Sequence, residues 1–593
     1  MTESPEAKPL RPPRVRLTDA EWAETKARLA AERVRPYDGD ILIAVEGDRR
    51  LYGAGEPIRL QPHQAGAAVA VTGENGLPLA AFRLPEVGED VGEFELEHPG
   101  PPRIRLSLGR SGDCWTAVTQ REVGTGALAL FDDARWLRCH WIIALVLAAG
   151  WMIVGAQVAL IDTLKDASTD SNRVYAVTAY LLGVIPGGVL FGWAADRVGR
   201  KPVYTATALI YVVTGFVAAL LPVDLPPFTL MCFLVGIATG GEYVVLNTAL
   251  QELMPKHRRG WACLAVNGAF WLGYAAIKPS LLFAHEVGMG AATDRWQSMF
   301  WIVGVLGIML LGLRRFLPES PRWLITNCRK DRRTQEMRDE IRRDLKIGSE
   351  RPEPTGPRLL VPARVPIQSL AGLMWGKYRR QTLVCLALMC SQAFFYNAFS
   401  HWFGYELKAI YGDKEGPISY DHLIYYIAAA NFAGPLLLGR WFDETGRRTM
   451  IWASYMISGF LLLGIATFLF WGWKPPSPTK MTIAWVLVFF FASAAASSAY
   501  LTLGESFPVE IRATAFSLPL AISMLVGVLG SLLYGWLTGG AQHHLIALGV
   551  LGALAGAAMI AAAMAEKALG TEYAGLSLEE GVPPLSQVEP ATS

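Results

Sequence analysis

Twelve apolar stretches, each close to twenty residues long, recur from about residue 139 to about residue 565. They lie at 139–161, 174–194, 202–222, 226–249, 262–284, 296–316, 381–403, 422–441, 449–471, 481–503, 515–537 and 543–565. An α-helix rises 1.5 Å per residue, so each run can cross ~30 Å of hydrocarbon. A helix is the form such a run must take, because in lipid every backbone N–H and C=O has to be satisfied within its own segment. A single soluble core is excluded. Composition agrees: 18% of the 593 residues are charged, against about a quarter in soluble domains.

The region before the first run has a different texture. Residues 1–17 are rich in Pro, Lys and Arg and read as a disordered tail. Thr18 and Glu21 have capping-box spacing ahead of good helix formers, which predicts one helix over about 19–34. From about 40 to 122, short β-branched segments alternate with Gly, Pro and Asn-Gly turn signals. They predict a small antiparallel β domain within an N-terminal unit of 18–135. No signal peptide opens the chain, so the N-terminus is expected in the cytoplasm.

Basic residues set the orientation. With the N-terminus inside, the outer loops hold Lys165, Arg173, Arg295, Lys408, Lys414, Lys474 and Lys480. The short inner loops hold Arg197, Arg200, Lys201, Lys256, Arg258, Arg259, Arg440, Arg447, Arg448 and Arg512, and a dense basic stretch runs from Arg314 to Arg380. Both termini are therefore expected in the cytoplasm, with the protein in the cell inner membrane. The halves 136–325 and 379–565 are joined by a basic linker at 326–378, and 566–593 reads as a disordered cytoplasmic tail.

Two motifs each occur twice, six helices apart. Gly192-x-x-x-Asp196-Arg197-x-Gly199-Arg200-Lys201 returns as Gly439-x-x-x-Asp443-x-x-Gly446-Arg447-Arg448. Glu252-x-x-Pro255-x-x-x-Arg259-Gly260 returns as Glu505-x-x-Pro508-x-x-x-Arg512-Ala513. Two homologous six-helix halves explain the repeat. A plain positive-inside anchor would explain the arginines but neither the aspartates nor the fixed glycine spacing. Charges so placed suit ion pairs that form in one state and break in another.

The doubled motif, together with Pro318-Glu-Ser-Pro-Arg-Trp-Leu324, resembles the major facilitator superfamily, and within it the sugar and metabolite proton-symporter branch. The resemblance covers about 136–565. It implies an all-α membrane fold of 12 transmembrane helices in two six-helix halves, here with a small mainly-β soluble N-terminal domain added. It also implies a cytoplasmic gate. Asp196, Arg200, Glu252 and Arg259 would serve in one half and Asp443, Arg447, Glu505 and Arg512 in the other, with Gly192, Arg197, Gly199, Gly439 and Gly446 shaping the loops.

Ionisable residues inside a spanning helix are functional candidates by default. Glu242 in the fourth run is the proton-coupling candidate, and pairing to a neighbouring helix is the alternative. Lys278 in the fifth run attracts an anionic substrate, pairs with a carboxylate or snorkels outward. In sugar-porting relatives a Gln and an Asn of the seventh helix bind substrate, which points to Gln392 and Asn397 with Tyr396. Gln157, Asn267, Trp271, Asn431 and Tyr500 complete the candidate cavity. Two departures count against proton coupling: Cys232 stands where many relatives carry Arg, and the first helix has its only carboxylate, Asp162, at the outer end.

The leading expectation is a secondary active transporter of a small polar metabolite, a sugar or an organic acid. The alternatives are a facilitative carrier and a ligand sensor signalling through the N-terminal domain. Partners are the substrate, the bilayer, a proton in the coupled reading and an unnamed ligand of the N-terminal domain. The net charge of +2 gives no support to nucleic acid binding, and the seven cysteines show no metal-ligand spacing. No phosphate-binding loop suggests an ATP-driven pump. No enzyme activity and no cofactor is expected.

Overall fold

The computed structural model describes the strands within 41–124, and residues 125–587 apart from 164–169, 221–224, 277–294, 328, 347–357, 362–364, 366, 400–419, 472–476 and 538–543. The expected tail at 1–17, the expected helix at 19–34 and Lys278 lie outside the described residues.

The N-terminal strands are β1 (Ile41–Val45), β2 (Leu51–Gly53), β3 (Ile58–Leu60), β4 (Ala68–Gly73), β5 (Pro78–Arg83), β6 (Phe94–Glu97), β7 (Ile104–Ser111) and β8 (Cys114–Gly124). One antiparallel sheet has the order β2-β1-β4-β5, and a second has the order β3-β8-β7-β6. The β7–β8 register places Ser111 opposite Cys114. The second sheet gains β9 (Arg358–Val361) from the linker, which pairs antiparallel to β8 with Leu359 opposite Val123.

A short helix α1 (Gly126–Asp132) leads from β8 to the first bundle. That bundle comprises α2 (Arg138–Thr163), α3 (Asp170–Val198), α4 (Arg200–Leu220), α5 (Leu225–Leu253), α6 (Arg259–Gly268, helical again over 270–276) and α7 (Arg295–Arg314). The linker forms α8 (Pro321–Thr326), α9 (Arg332–Asp344) and α10 (Ile367–Trp375). The second bundle comprises α11 (Arg379–Phe399), α12 (Tyr420–Glu444), α13 (Arg447–Trp471), α14 (Pro478–Glu505), α15 (Arg512–Leu537) and α16 (His544–Leu569). Among the described residues nine helices are long and apolar enough to cross a membrane: α2 to α5, α11, and α13 to α16. Helices α6, α7 and α12 fill the fifth, sixth and eighth places.

Several of these helices, α5, α7 and α14 among them, are apolar with little sidedness, as suits a bundle in lipid. Leu145, Leu220, Phe460 and Trp536 are more than half exposed on the outer surface. Within each half the second helix packs on the fourth and the third on the sixth: α3 on α5 and α4 on α7, then α12 on α14 and α13 on α16. The halves meet along α3 with α15 and α6 with α12. In α3 and α5 small residues permit the contact. A Cβ at Gly187 would collide with the Ile237 carbonyl, and one at Gly240 with the Val184 carbonyl.

Beyond residue 565 the chain departs from the disordered tail expected. Helix α16 continues to Leu569, and residues 570–587 fold back over the end of the bundle. Tyr573, Leu578 and Val582 are buried. Ser577 and Glu580 form a capping box on the helical turn α17 (Leu578–Gly581). Three well-spaced apolar residues are too few to show as a periodic pattern, but they suffice once a packed surface is waiting for them.

Candidate functional site

At the end of the bundle that carries the repeated motifs, four carboxylates satisfy the first N–H groups of helices that start elsewhere in the chain. Asp196, at the end of α3, accepts from Ala513 N (3.1 Å), Thr514 N (2.8 Å) and Thr514 Oγ1 (2.7 Å) at the start of α15. Its repeat partner Asp443, at the end of α12, accepts from Gly260 N (2.9 Å) and Trp261 N (2.8 Å) at the start of α6. Each motif aspartate thus caps a helix of the opposite half. The leading N–H groups of a helix are otherwise unpartnered and carry its positive dipole end.

The other two acids act within one half. Glu319 accepts from Arg200 N (2.9 Å) and Lys201 N (3.0 Å) at the start of α4. Glu572 accepts from Arg447 N (2.8 Å) and Arg448 N (3.1 Å) at the start of α13. Gly199 (φ +102°) and Gly446 (φ +108°) turn the chain into these capped starts in the left-handed region. A side chain there would also meet the capping carboxylate.

Between the caps lies a buried lattice of arginines and acids. Glu252 Oε1 takes Arg200 Nη2 at 2.9 Å and, from the other half, Arg512 Nη1 at 2.9 Å. Glu505 mirrors it: Arg447 Nε stands 2.7 Å away and Arg259 Nη1, from the other half, 3.7 Å away. Neither contact meets hydrogen-bond geometry, so these are ionic contacts. Each glutamate thus meets one arginine of its own half and one of the other, because Arg259 and Arg512 both cross. Arg197 is exposed and lies over the Trp193 ring at 4.4 Å, outside the lattice. Gly192 and Gly439 sit at the contacts between halves, beside Ala513 and Trp261 respectively.

Three residues of the lattice were not singled out from the sequence. Asp132 in α1 holds Arg259 Nη2 at 2.7 Å and Arg322 Nη2 at 2.6 Å. Arg322 also meets Glu579 of the tail at 2.8 Å and donates to the Glu252 carbonyl at 2.9 Å. Burial pushes the Asp132 carboxyl up, but the Arg322 and Arg259 charges outweigh it and hold the group below the usual carboxylate range. Burial opposes the charge on Arg322 as well, and Asp132 and Glu579 raise its affinity for the proton above the ordinary guanidinium value. The only sequence signal was the Pro-Glu-Ser-Pro-Arg run containing Glu319 and Arg322. Asp132 and Glu579 sit in segments with no motif.

Between the halves, inside the bundle, is a cavity of about 120 Å³. The first half contributes Trp151 of α2, Tyr180 of α3, Tyr243 of α5, and Asn267, Phe270, Trp271 and Tyr274 at α6 and just beyond. The second half contributes Gln392, Tyr396 and Asn397 of α11, with Ser493, Ser497 and Tyr500 of α14. Tyr243 and Tyr500 stack across the halves, centroids 5.7 Å apart, and Trp151 meets Tyr243 edge-on at 4.7 Å. No acidic or basic side chain lines the cavity among the described residues.

The amides have a defined sense. Asn267 Nδ2 donates to the Asn247 Oδ1 (2.9 Å) and the Cys263 carbonyl (2.8 Å), and Asn397 Nδ2 donates to the Ala393 carbonyl (2.9 Å). A backbone carbonyl only accepts, so the NH2 group must face it. Asn267 Oδ1 is left buried without a protein partner.

Six of the expected cavity residues line it: Asn267, Trp271, Gln392, Tyr396, Asn397 and Tyr500. Asn431 stands behind it, accepting from the Tyr396 hydroxyl at 2.8 Å and donating to the Ile427 carbonyl. Gln157 is buried off the cavity, with neither amide atom partnered. Glu242 is also off the cavity. Its Oε1 lies 2.6 Å from Arg314 Nη2 of α7, and its Oε2 accepts from Thr207 Oγ1 of α4 at 2.7 Å. Arg314 Nη1 closes the triangle on Thr207 at 3.1 Å, so the pairing alternative describes its contacts. The sequence did not expose this because Arg314 reads as one more positive-inside residue.

Two repeated bundles, a cavity between them and a charge lattice across one end define a major facilitator fold. The structure is similar to that of the proton:xylose symporter XylE bound to 6-bromo-6-deoxy-D-glucose, with a TM-score of 0.58 at 19% identity over 74% of this chain and 98% of that one. It is also similar to an inward open conformation of XylE from E. coli, with a TM-score of 0.51 at 20% identity over 74% of this chain and 98% of that one. The family model "Sugar (and other) transporter" matches residues 145–580, and the chain belongs to that family.

Curated relatives are an organic cation transporter protein of Drosophila melanogaster (27% identical, 28% of this chain and 28% of that protein) and the niacin transporter NiaP of Acinetobacter baylyi (29% identical, 32% of this chain and 44% of that protein). Solute carrier family 22 member 15 of Xenopus tropicalis is 33% identical over 25% of this chain and 26% of that protein. The matched stretches thus span between about a quarter and under half of these relatives' length.

Proposed function

We propose that the chain is a secondary transporter that carries a small ring-bearing solute across a membrane by alternating access, its twelve helices forming two rocking halves. The carrying observation is a cavity shared by both halves, with one end tied by caps and ion pairs that cross between them. Such ties can be broken and remade without unfolding either half. The lysine and arginine asymmetry supports an inner-membrane topology with both termini cytoplasmic, which makes the tied end the cytoplasmic gate.

The lining supports a solute that is not an anion. It offers aromatic faces, which suit sugar rings, heteroaromatic rings and cations. It also offers amide, phenol and serine hydroxyl groups, which donate and accept without charge. Of the solutes named for relatives, xylose and organic cations match this lining. The carboxylate of niacin needs a positive charge, which Lys278 is placed in sequence to provide. Facilitated movement fits better than proton coupling, because Glu242 is engaged by Arg314 away from the cavity.

Purified protein in detergent, heated with sugars, polyols, aromatic amines and carboxylates in turn, tests the class. A ligand that binds the folded state raises the unfolding midpoint. Stabilisation by sugars or amines that disappears in Asn397→Ala supports the reading. Stabilisation by a carboxylate that disappears in Lys278→Ala overturns it. A ligand that binds but shows no counterflow in proteoliposomes sinks transport itself.

A further inference from the structure

Two arms reach Arg322, and both start from the same strand pair. One runs from β8 through α1, whose last residue, Asp132, holds Arg322 and Arg259. The other is the C-terminal tail. Gln587 forms an antiparallel bridge with Leu359 of β9, Ser586 donates twice to Glu510 (3.0 and 2.6 Å), and Glu579 meets Arg322 at 2.8 Å. Strand β9 is paired to β8, so the path closes on itself. Arg322 and Arg259 belong to the first half, and Glu579 and the Leu576 carbonyl that Arg259 meets at 3.2 Å follow the second. The loop therefore fastens one half to the other.

Asp132 is the positioning residue of this arrangement. It is 2% exposed and aims two buried guanidiniums across the interface between halves. A buried charge that loses its partner is strongly unfavourable, so moving Asp132 or Glu579 acts directly on the balance between closed and open ends. Neither belongs to the repeated motifs, and α1 lies outside the stretch matching the transporter family.

We propose that the N-terminal sheet and the C-terminal tail form a latch on the gate, so that whatever strains or displaces the β8–β9 pair sets how readily the cytoplasmic end opens. The inference rests on reading that end as a gate, and the test separates the two. Full-length protein with its seven native cysteines replaced by serine, and Ser497→Cys as a cavity probe, is placed in inverted vesicles. A membrane-impermeant maleimide is then added. Glu252→Gln, which breaks the central lattice, is the reference for an opened gate.

The latch predicts that Glu579→Gln raises the labelling rate about tenfold, the effect of losing a charged hydrogen bond on a two-state balance. Deletion of residues 585–593 and Leu359→Pro, which leave every lattice charge in place, should raise it too. If Glu252→Gln opens the site and Glu579→Gln does not, the latch is wrong and the gate stands. If Glu579→Gln opens it while the deletion and Leu359→Pro do not, the sheet has no part in the latch. If Glu252→Gln also changes nothing, the gate reading falls and takes the latch with it.

Discussion

Asn267 lines the cavity and is fixed there by two hydrogen bonds, its NH2 group donating to Asn247 Oδ1 and to the Cys263 carbonyl. Asn267→Ala removes both anchors and should weaken ligand binding about tenfold, as read by isothermal titration. Glu242 makes the opposite case. Glu242→Gln leaves Arg314 short of its counter-charge and should cost about 3 kcal/mol in detergent unfolding. Because the carboxylate does not line the cavity, KM for uptake should stay within about twofold of the parent. A KM that moves with proton concentration in the parent and not in the variant would return Glu242 to the coupling role.

At the scale of elements, the helices that start at the tied end owe their first turns to acids from other segments. Glu319 and Glu572 serve α4 and α13, and Asp196 and Asp443 serve α15 and α6. The two glycines that lead into α4 and α13 have nearly the same positive φ. Gly199→Ala and Gly446→Ala should therefore destabilise by similar amounts, about 1–2 kcal/mol each from backbone strain alone. Displacement of the capping carboxylate adds to that. Midpoints that fall for one and not the other would show that the two halves do not share the cap. The repeated glycine was visible in the sequence. The glutamate that requires the space was not, since Glu319 and Glu572 lie over a hundred residues from the helices they cap.

For the molecule as a whole, the tied end adds a pH dependence with a definite sign. Asp132 has a carboxyl held below its ordinary value, so the unfolded chain binds its proton more readily than the folded one. Its stabilising contribution is complete above the unfolded value of about 3.9 and is lost as pH falls through the lower folded value. Unfolding midpoints should be flat with respect to this group from about pH 5 to 8 and decline below about pH 4. Asp132→Asn should lower the midpoint at neutral pH and blunt the acid decline. An unchanged acid limb would remove Asp132 from the lattice that stabilises the fold.

What the sequence determined by itself is local or periodic. Apolar runs near twenty residues long dictate membrane helices, because lipid leaves the backbone no other partner. The doubled Gly-x-x-x-Asp and Glu-x-x-Pro patterns reveal two related halves, and the resemblance those patterns carry singles out the amides of α11. What only the tertiary structure decided is which charges meet. Glu252 takes Arg512, Asp443 takes the start of α6, and Asp132 takes Arg322, across separations of 183 to 260 residues. An ion pair depends on distance in space and on what burial does to each charge, and neither leaves a period in the chain. The tail and α1 were unremarkable as sequence for that reason, and they matter because the packed end of the bundle places two buried arginines within their reach.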